Sequence, residues 1–192
     1  MGRPRTFEQD VVVDRAMEVF WRKGYRATTP QDLIDAVGIG KGSLYNAFGS
    51  KRELFRLALD RYRDQQATLI DEMLAAPGPV KQRLASAMEL VIDLNFADPD
   101  RRGCLAVNTA AELAGSDLAA TDQVRAMFER TTEVFLAAIR LGQASGELRK
   151  ENDPEAVATH LLTTLVGLQL LSRTSGDPER LKRSVALALA PI

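Results

Sequence analysis

The sequence predicts an all-α protein with an N-terminal three-helix domain and a larger helical domain after it. Apolar residues recur at helical spacing along the 192 residues, and capping residues, glycines and prolines mark where helices begin and end. No stretch alternates in polarity for long enough to favour a strand over a helix. We expect residues 1–50 to form the first domain and residues 51–192 the second, with residues 51–76 as a connecting helix.

The first helix is indicated by an apolar stripe that ends at a glycine. Val12, Ala16, Val19 and Phe20 fall on one face of a helix, and Gly24 then interrupts the pattern. The stripe predicts a helix with one side against a core.

A second, short helix has a signal at each end. Thr29 is a predicted N-cap, Pro30 takes the first helical position, and Asp32 stands where a capping-box partner would reach back. Gly38 is placed to end the helix in the left-handed conformation. Between these signals, three apolar residues form one stripe: Leu33, Ile34 and Val37.

A third helix begins near residues 40–41, after a tight turn. Leu44 and Phe48 lie four residues apart on one face. The other face is polar and carries Lys41, Ser43, Tyr45 and Asn46. Such a face suits a DNA groove better than a protein core, so these helices predict a helix-turn-helix.

This segment resembles the DNA-binding domain of TetR-family transcriptional regulators. The resemblance rests on FWRKGYRATT (20–29), on VGIGKGSLYNAF (37–48), and on Lys51 and Leu54 at the start of the next helix, and it covers about a third of the chain. Ala47 is a departure, because many relatives carry His there; its absence removes one possible phosphate contact.

We predict a DNA surface in which Tyr45 and Lys51 contact phosphates while Lys41 and Ser43 lie nearest the bases, since phosphate contacts position a protein and base contacts specify the sequence. Arg3 and Arg5 would form a short basic arm along the backbone or minor groove; a disordered terminus is the alternative. The predicted DNA-binding residues are Thr29, Lys41, Gly42, Ser43, Tyr45, Asn46, Lys51, Arg3 and Arg5.

The charge distribution agrees with this surface. Residues 1–63 contain 12 Lys and Arg against 8 Asp and Glu, a net +4, whereas residues 64–192 contain 13 against 18, a net −5. Positive charge is thus concentrated where DNA phosphates would be met. A chance excess of this size is the alternative explanation, so charge alone supports the prediction only weakly.

The second domain is predicted to be a succession of helices, with loops at 77–79, 98–103, 145–146 and 175–178. Capping signals open several of these helices.

Ser50 with Glu53 forms a capping box before the long connecting helix. Asp153 and Asp177 are each followed by a proline and an acid, which suits an N-cap and the positive end of the helix dipole.

The last two helices are predicted to form a homodimer. Their apolar stripes would pack as a four-helix bundle across a two-fold axis, as the resemblance also implies, while core packing within one chain is the alternative. Two recognition helices about one DNA turn apart would then read a palindromic double-stranded operator. The predicted interface residues are Val157, Leu161, Leu165, Leu168, Leu181, Val185 and Leu189.

Residues 80–145 lie where the resemblance implies a site for a small-molecule inducer of unknown identity, which would act by population shift. Ordinary core packing is the alternative explanation for these residues. The candidates are Met88, Phe96, Cys104, Asn108, Met127, Phe128, Thr131, Thr132 and Phe135.

Cys104 is the single cysteine and begins a predicted helix in RRGCLAVNTAAEL (101–113). The helix dipole together with Arg101 and Arg102 would favour a reactive thiolate, although a small buried hydrophobe is the more ordinary interpretation. GCL before a small helix also resembles a motif found in part of the TetR family, where some members sense through cysteine.

Several function classes are excluded by composition. His160 is the only histidine and has no acid facing it at helical spacing, so we expect no enzyme. One His and one Cys exclude a clustered metal site, and we expect no cofactor. The N-terminus lacks a signal-peptide core, and the stretch Ala156–Leu171 is shorter than the roughly 20 residues that span a bilayer, so we expect a cytoplasmic protein without a membrane partner. An all-α interaction module without sequence-specific DNA binding remains the alternative.

Overall fold

The computed structural model describes the backbone of residues 5–192 and the side chains from residue 9 onward. All regular structure in this part of the chain is α-helical, which confirms the predicted fold class. The helices are α1 (Arg5–Lys23), α2 (Pro30–Val37), α3 (Lys41–Phe48), α4 (Lys51–Ala75), α5 (Val80–Ala97), α6 (Leu105–Leu113), α7 (Leu118–Ser145), α8 (Pro154–Leu171) and α9 (Pro178–Leu189).

Helix α2 has the predicted caps at both ends. The Thr29 hydroxyl accepts a hydrogen bond from the backbone N–H of Asp32 at 3.2 Å, and the Asp32 carboxylate accepts from the backbone N–H of Thr29 at 2.8 Å. Gly38 ends the helix with a φ of 75°, a conformation that favours glycine. The capping box and the glycine stop are therefore confirmed, and they fix the turn that leads into α3.

Two hydrophobic clusters hold the molecule together. The first packs α1, α2 and α3 against the first half of α4 and continues into α6 and the start of α7. Within it, the Phe20 and Phe55 rings meet edge to face with centroids 4.9 Å apart, and Trp21 meets Tyr62 at 5.0 Å. The domain boundary expected after residue 50 falls at the start of α4. This helix packs against α1 and α3 and also against α6 and α7.

The second hydrophobic cluster packs α5 and the later part of α7 against α8 and α9. It contains the stripe residues that were expected to meet a second chain. Leu161 and Val185 have no exposed surface within a single protomer. The others, also in or against this cluster, are Val157, Leu165, Leu168, Leu181 and Leu189.

Six of the seven stripe residues are therefore buried within one protomer, which does not support their prediction as interface residues. Val157 is half-buried, and its place in the interface stays a prediction. The stripe of α8 faces α7, and that of α9 faces α5. Helical periodicity identifies a buried face but does not say which helix covers it, and here neighbours from the same chain do so.

The other helix boundaries agree closely with the sequence. Asp153 and Asp177 cap α8 and α9, each accepting a backbone hydrogen bond through its side chain. Ser50 accepts from the backbone N–H of Glu53, but the carboxylate of Glu53 binds Arg56 instead of returning to the cap. The break at residues 114–117, which separates α6 from α7, was not predicted.

Across the described residues, no helix is both long and apolar enough to cross a membrane.

Candidate functional site

Helix α3 presents a polar face to solvent. Leu44 and Phe48 anchor it in the first cluster, with 0% and 7% of their surface exposed. A Cβ atom at Gly42 would meet nothing within 4 Å, so no packing inside the protomer accounts for a glycine there. The exposed side of α3 comprises Lys41, Gly42, Ser43, Asn46 and, half-buried, Tyr45.

Two lysines near α3 are available to an anionic partner. Among the ion pairs of the described residues, neither Lys41 nor Lys51 takes part, whereas Arg52 is bound to Asp117 at 2.8 Å. The Lys51 ammonium lies 4.5 Å from the centre of the Tyr25 ring, and partial burial lowers its pKa. Lys51 is thus held in place at the first turn of α4 without a direct ion pair, although the carboxylates of Glu112 and Asp32 act on it from a greater distance and raise its pKa.

The remaining predicted DNA-binding residues lie at the edge of this surface or beyond it. Thr29 is exposed at the start of α2, where its hydroxyl serves the cap. Arg3 and the side chain of Arg5 lie outside the described residues, so the basic arm stays a prediction.

A cavity lies between α4, α6, α7 and α8. Its volume of about 50 Å³ is several times what one ordered water requires. Four predicted ligand-binding residues line it: Cys104, Met127, Phe128 and Thr131.

Other ligand candidates lie away from this cavity. Met88 and Phe135 fill the second cluster and have at most 1% of their surface exposed. Phe96 lies under the Arg101 guanidinium, 4.0 Å from the ring centre. Asn108 hydrogen bonds to Arg102 and Arg173. None of these four residues lines this cavity, and neither does Thr132.

Sequence reasoning missed Tyr62, Gln66 and Gln169, which also line the cavity. Gln169 had a visible signal, since it interrupts an otherwise apolar stretch of α8. The two α4 residues had none, because the expected site was placed wholly within residues 80–145, whereas α4 forms one wall.

The Cys104 thiol is a buried group at the N-cap of α6, with 7% of the residue exposed. Burial raises its pKa, and burial also raises the pKa of the adjoining Tyr62 hydroxyl. Arg101 donates to the carbonyl of Ser172 at 3.1 Å, and Arg102 binds Asp98 at 2.9 Å. The two arginines therefore do not favour the thiolate, which corrects that expectation.

The loop before α6 contacts α1 directly. The Trp21 indole N–H donates to the carbonyl of Gly103 at 3.0 Å, and the Arg102 guanidinium lies 4.2 Å from the centre of the same indole. Arg102 also forms ion pairs with Glu18 and Asp98. We call Trp21, Arg102, Gly103 and Glu112 the α1–α6 junction.

Glu112 makes the second contact of this junction. Its carboxylate accepts from the backbone N–H groups of Tyr25 and Arg26 at 2.9 and 2.6 Å. A Cβ atom at Gly24, whose φ is 78°, would come within 2.7 Å of this carboxylate. Glu112 on α6 therefore holds the turn between α1 and α2, and glycine is required for its close approach.

The junction adjoins the cavity. A Cβ atom at Gly103 would lie 2.9 Å from the Arg173 side chain and 3.3 Å from the carbonyl oxygen of Gln169. Gln169 lines the cavity, as do Cys104 and Ala106 of the loop and helix that carry the junction. Residues in direct contact therefore connect the cavity wall to α1, so a displacement of the wall can reach α1.

Comparisons with known proteins agree on one family across the chain. Residues 12–58 match the family model described as bacterial regulatory proteins, tetR family, and residues 81–188 match the tetracyclin repressor-like C-terminal domain. The chain is 30% identical to the uncharacterised HTH-type transcriptional regulator YezE of Bacillus subtilis, over 99% of this chain and 98% of that protein. It is 32% identical to the HTH-type transcriptional repressor ComR of Escherichia coli, over 98% and 90%.

A solved structure extends the likeness to DNA binding. The TetR-family regulator CifR, a cysteine variant in complex with 26-base-pair operator DNA, is 34% identical with a TM-score of 0.85, and the match covers 98% of each chain.

Proposed function

Because the chain belongs to the TetR family of DNA-binding transcriptional regulators, we propose that it is a ligand-responsive repressor that binds a palindromic operator as a homodimer. Its relatives are named as regulators and not as enzymes. The observation that carries the proposal is the exposed polar face of α3, anchored by Leu44 and Phe48 and accompanied by two lysines without ion-pair partners among the described residues.

DNA recognition is assigned to α3 and the start of α4. Lys41 and Ser43 lie in the first turn of α3 and would read base edges, since donors of this kind bind guanine or other bases in the major groove. Tyr45 and Lys51 would contact phosphates. The repressor ComR and the CifR–operator complex support this assignment as relatives of the chain.

The homodimer is assigned to the outward faces of α8 and α9. Leu170, Leu171 and Leu187 are 51%, 53% and 75% exposed, and together with Gly167 and Ala186 they leave an apolar surface uncovered. Such surfaces mark interaction sites, and a two-fold axis through the end of the chain would place two α3 helices for adjacent major grooves, about 34–36 Å apart. We propose that a second copy of this chain covers this surface.

Release from DNA is assigned to the cavity and the α1–α6 junction. A ligand that binds better when the cavity wall is displaced would favour a conformer with α1 and the α1–α2 turn moved, through Gly103 and Glu112. Operator DNA would favour the other conformer. The coupling is therefore reciprocal: the ligand weakens DNA binding by the same factor by which DNA weakens ligand binding.

The proposal is tested by selecting binding sites from random DNA duplexes. Affinity for the most enriched sequence is then measured at several salt concentrations. We expect an enriched inverted repeat, bound by two chains, with an affinity that falls steeply as salt rises. Lys41→Ala should abolish the preference for this repeat, whereas Lys150→Ala, an exposed control far from α3, should not. Enrichment of no sequence, or binding that excess nonspecific DNA removes, would refute sequence-specific repression.

A further inference from the structure

The carboxamide of Gln169 lines the cavity and has no hydrogen-bond partner among the described residues. Only 9% of this residue is exposed, its side chain lines the cavity, and among the hydrogen bonds of the described residues none involves its amide nitrogen or oxygen. An amide that loses its water without gaining a partner costs free energy. A group that enters the cavity would supply the missing hydrogen bonds.

A second carboxamide, that of the half-buried Gln66, also lines the cavity and forms no hydrogen bond among the described residues. The charged groups and the hydroxyl of Thr131 are engaged. The Thr131 hydroxyl donates to the carbonyl of Met127 at 3.1 Å. Arg63 is bound to Asp60 at 2.8 Å, and Arg130 to Asp71 at 3.0 Å. The cavity therefore offers no unpaired charge to a ligand. A carboxylate or ammonium ion would lose its hydration there without a counter-ion, which is strongly unfavourable.

We propose that the cavity binds a small, uncharged, mainly apolar molecule that carries one carbonyl, amide or hydroxyl group, and that the Gln169 carboxamide recognises this group. A carboxamide both donates and accepts, so it matches any of the three. Apolar walls from Ile70, Phe128 and Leu165 bind the rest of the molecule. The volume of about 50 Å³ holds a molecule of a few heavy atoms. An aromatic ring, which fits a cavity of about 150 Å³, enters only when the cavity wall is displaced. The inference rests on the proposed function only in giving this molecule the role of inducer.

Gln169 is also positioned to transmit ligand binding to the α1–α6 junction. Its backbone carbonyl packs against Gly103, whose own carbonyl accepts from Trp21. A ligand bound to the Gln169 side chain therefore acts on a residue next to the α1–α6 junction. Recognition and signal transmission share one position on α8.

The test uses the full chain without DNA and five probes: propionamide, benzamide, propionate, benzoate and toluene. The first pair is neutral and hydrogen bonding, the second is the charged equivalent, and toluene is apolar. Binding is followed by the side-chain NH₂ signals of Gln169 in a ¹⁵N-labelled sample and by calorimetry. We expect one or both amides to shift the Gln169 signals and to bind more tightly than the matching carboxylate.

Gln169→Leu should weaken amide binding between about two- and tenfold, the range for one hydrogen bond, and leave toluene binding unchanged or stronger. Gln65→Leu, an exposed glutamine on α4 that does not line the cavity, is the matched control and should change neither. Gln169→Met provides a second variant with an unbranched side chain if Gln169→Leu does not fold.

Three results would overturn the proposal: tighter binding of the carboxylates, equal loss of amide and toluene affinity in Gln169→Leu, or no shift of the Gln169 signals with either amide. Operator binding, measured separately, distinguishes this failure from failure of the proposed function. A chain that binds benzamide through Gln169 but ignores DNA would leave the ligand class standing and refute the repressor.

Discussion

The two hydrophobic clusters differ in what they connect. The first runs from the DNA-reading helices through α4 to Cys104, Ala106 and Met127, which line the cavity. The second closes α5, α7, α8 and α9 on one another and, among the described side chains, contains none from α1, α2 or α3. The first is therefore suited to transmit a change between two sites, while the second provides the frame against which that change takes place.

Polar contacts between distant segments occur in both clusters. The first cluster is crossed by hydrogen bonds between distant segments, including Trp21 with Gly103 and Glu112 with Tyr25 and Arg26. Bonds of this kind have two discrete arrangements, made and broken, and so can serve as a switch. The second cluster has such contacts as well, including the backbone N–H of Val80 with Glu147 and the ammonium of Lys182 with Asp93, but these do not involve α1, α2 or α3.

The largest effect is expected where a charge enters the second cluster. Leu161→Glu would place a carboxylate at a site with no exposed surface and should lower the free energy of unfolding by about 3–5 kcal/mol, the usual cost of an unpaired buried charge. Leu187→Glu lies on the neighbouring helix but is 75% exposed, so it should split the dimer while the protomer stays folded. Circular dichroism and sedimentation measure both. An unchanged free energy of unfolding in Leu161→Glu would contradict the assignment of α8 to the protomer core.

A smaller effect on stability, but a larger one on regulation, is expected at the junction. Glu112→Gln keeps one of the two oxygens that accept hydrogen bonds from the Tyr25 and Arg26 amides. Loss of the other bond should lower the free energy of unfolding by about 1 kcal/mol. Hydrogen exchange of the Tyr25 and Arg26 amides should accelerate. Operator affinity should fall and ligand affinity in the absence of DNA should rise, because weaker bonds at Glu112 favour the conformer that binds ligand. Glu129→Gln, an exposed acid on α7, is the control. Unchanged exchange at both amides would remove Glu112 from the mechanism.

Sequence reasoning predicted the fold better than the contacts between segments. Thr29, Asp32 and Gly38 act through neighbours within a few residues, so their local pattern was sufficient. Glu112 is separated from Tyr25 by 87 positions along the chain, and no periodicity connects them. The stripe of α8 was correctly identified as buried but was expected to meet a second copy, since burial by the same chain and by a second copy give the same pattern.

On the DNA side, Lys51→Ala should weaken binding to all sequences alike. Removing one phosphate contact should reduce the slope of log affinity against log salt by about one unit. Lys150→Ala should leave the slope unchanged. A changed sequence preference with the slope retained would place Lys51 at a base instead of a phosphate.

The stability of helix α2 should be sensitive to acid. Hydrogen bonds from Lys23 and Thr29 lower the pKa of Asp32 from 3.8 to about 2. Because the folded-state pKa lies below the ordinary value, the ionised carboxylate stabilises α2 above pH 3.8, and this contribution is lost as pH falls through about 2. Protection of the α2 amides, measured relative to the unfolded chain at the same pH, should fall over that window in the wild type. In Asp32→Asn this protection should be low at every pH, and a profile identical to the wild type would exclude this role.

The smallest effect is expected at Cys104. Burial raises its pKa, so the thiol is protonated at neutral pH and should react with iodoacetamide more slowly than an exposed cysteine, with the rate rising as pH increases. Cys104→Ser should bind operator like the wild type and respond equally to an electrophile. Release of DNA by the electrophile from the wild type alone would instead make Cys104 a sensor.

Trp21 is the only tryptophan and lies in the α1–α6 junction, so its fluorescence tests the central claim that this junction couples the cavity to DNA. Emission is recorded while operator DNA is added, and then while benzamide is titrated into the complex with DNA release followed by anisotropy. The account predicts that DNA shifts the emission and that benzamide reverses the shift as DNA is released. Release of DNA by benzamide with the Trp21 emission still at its DNA-bound value would contradict it.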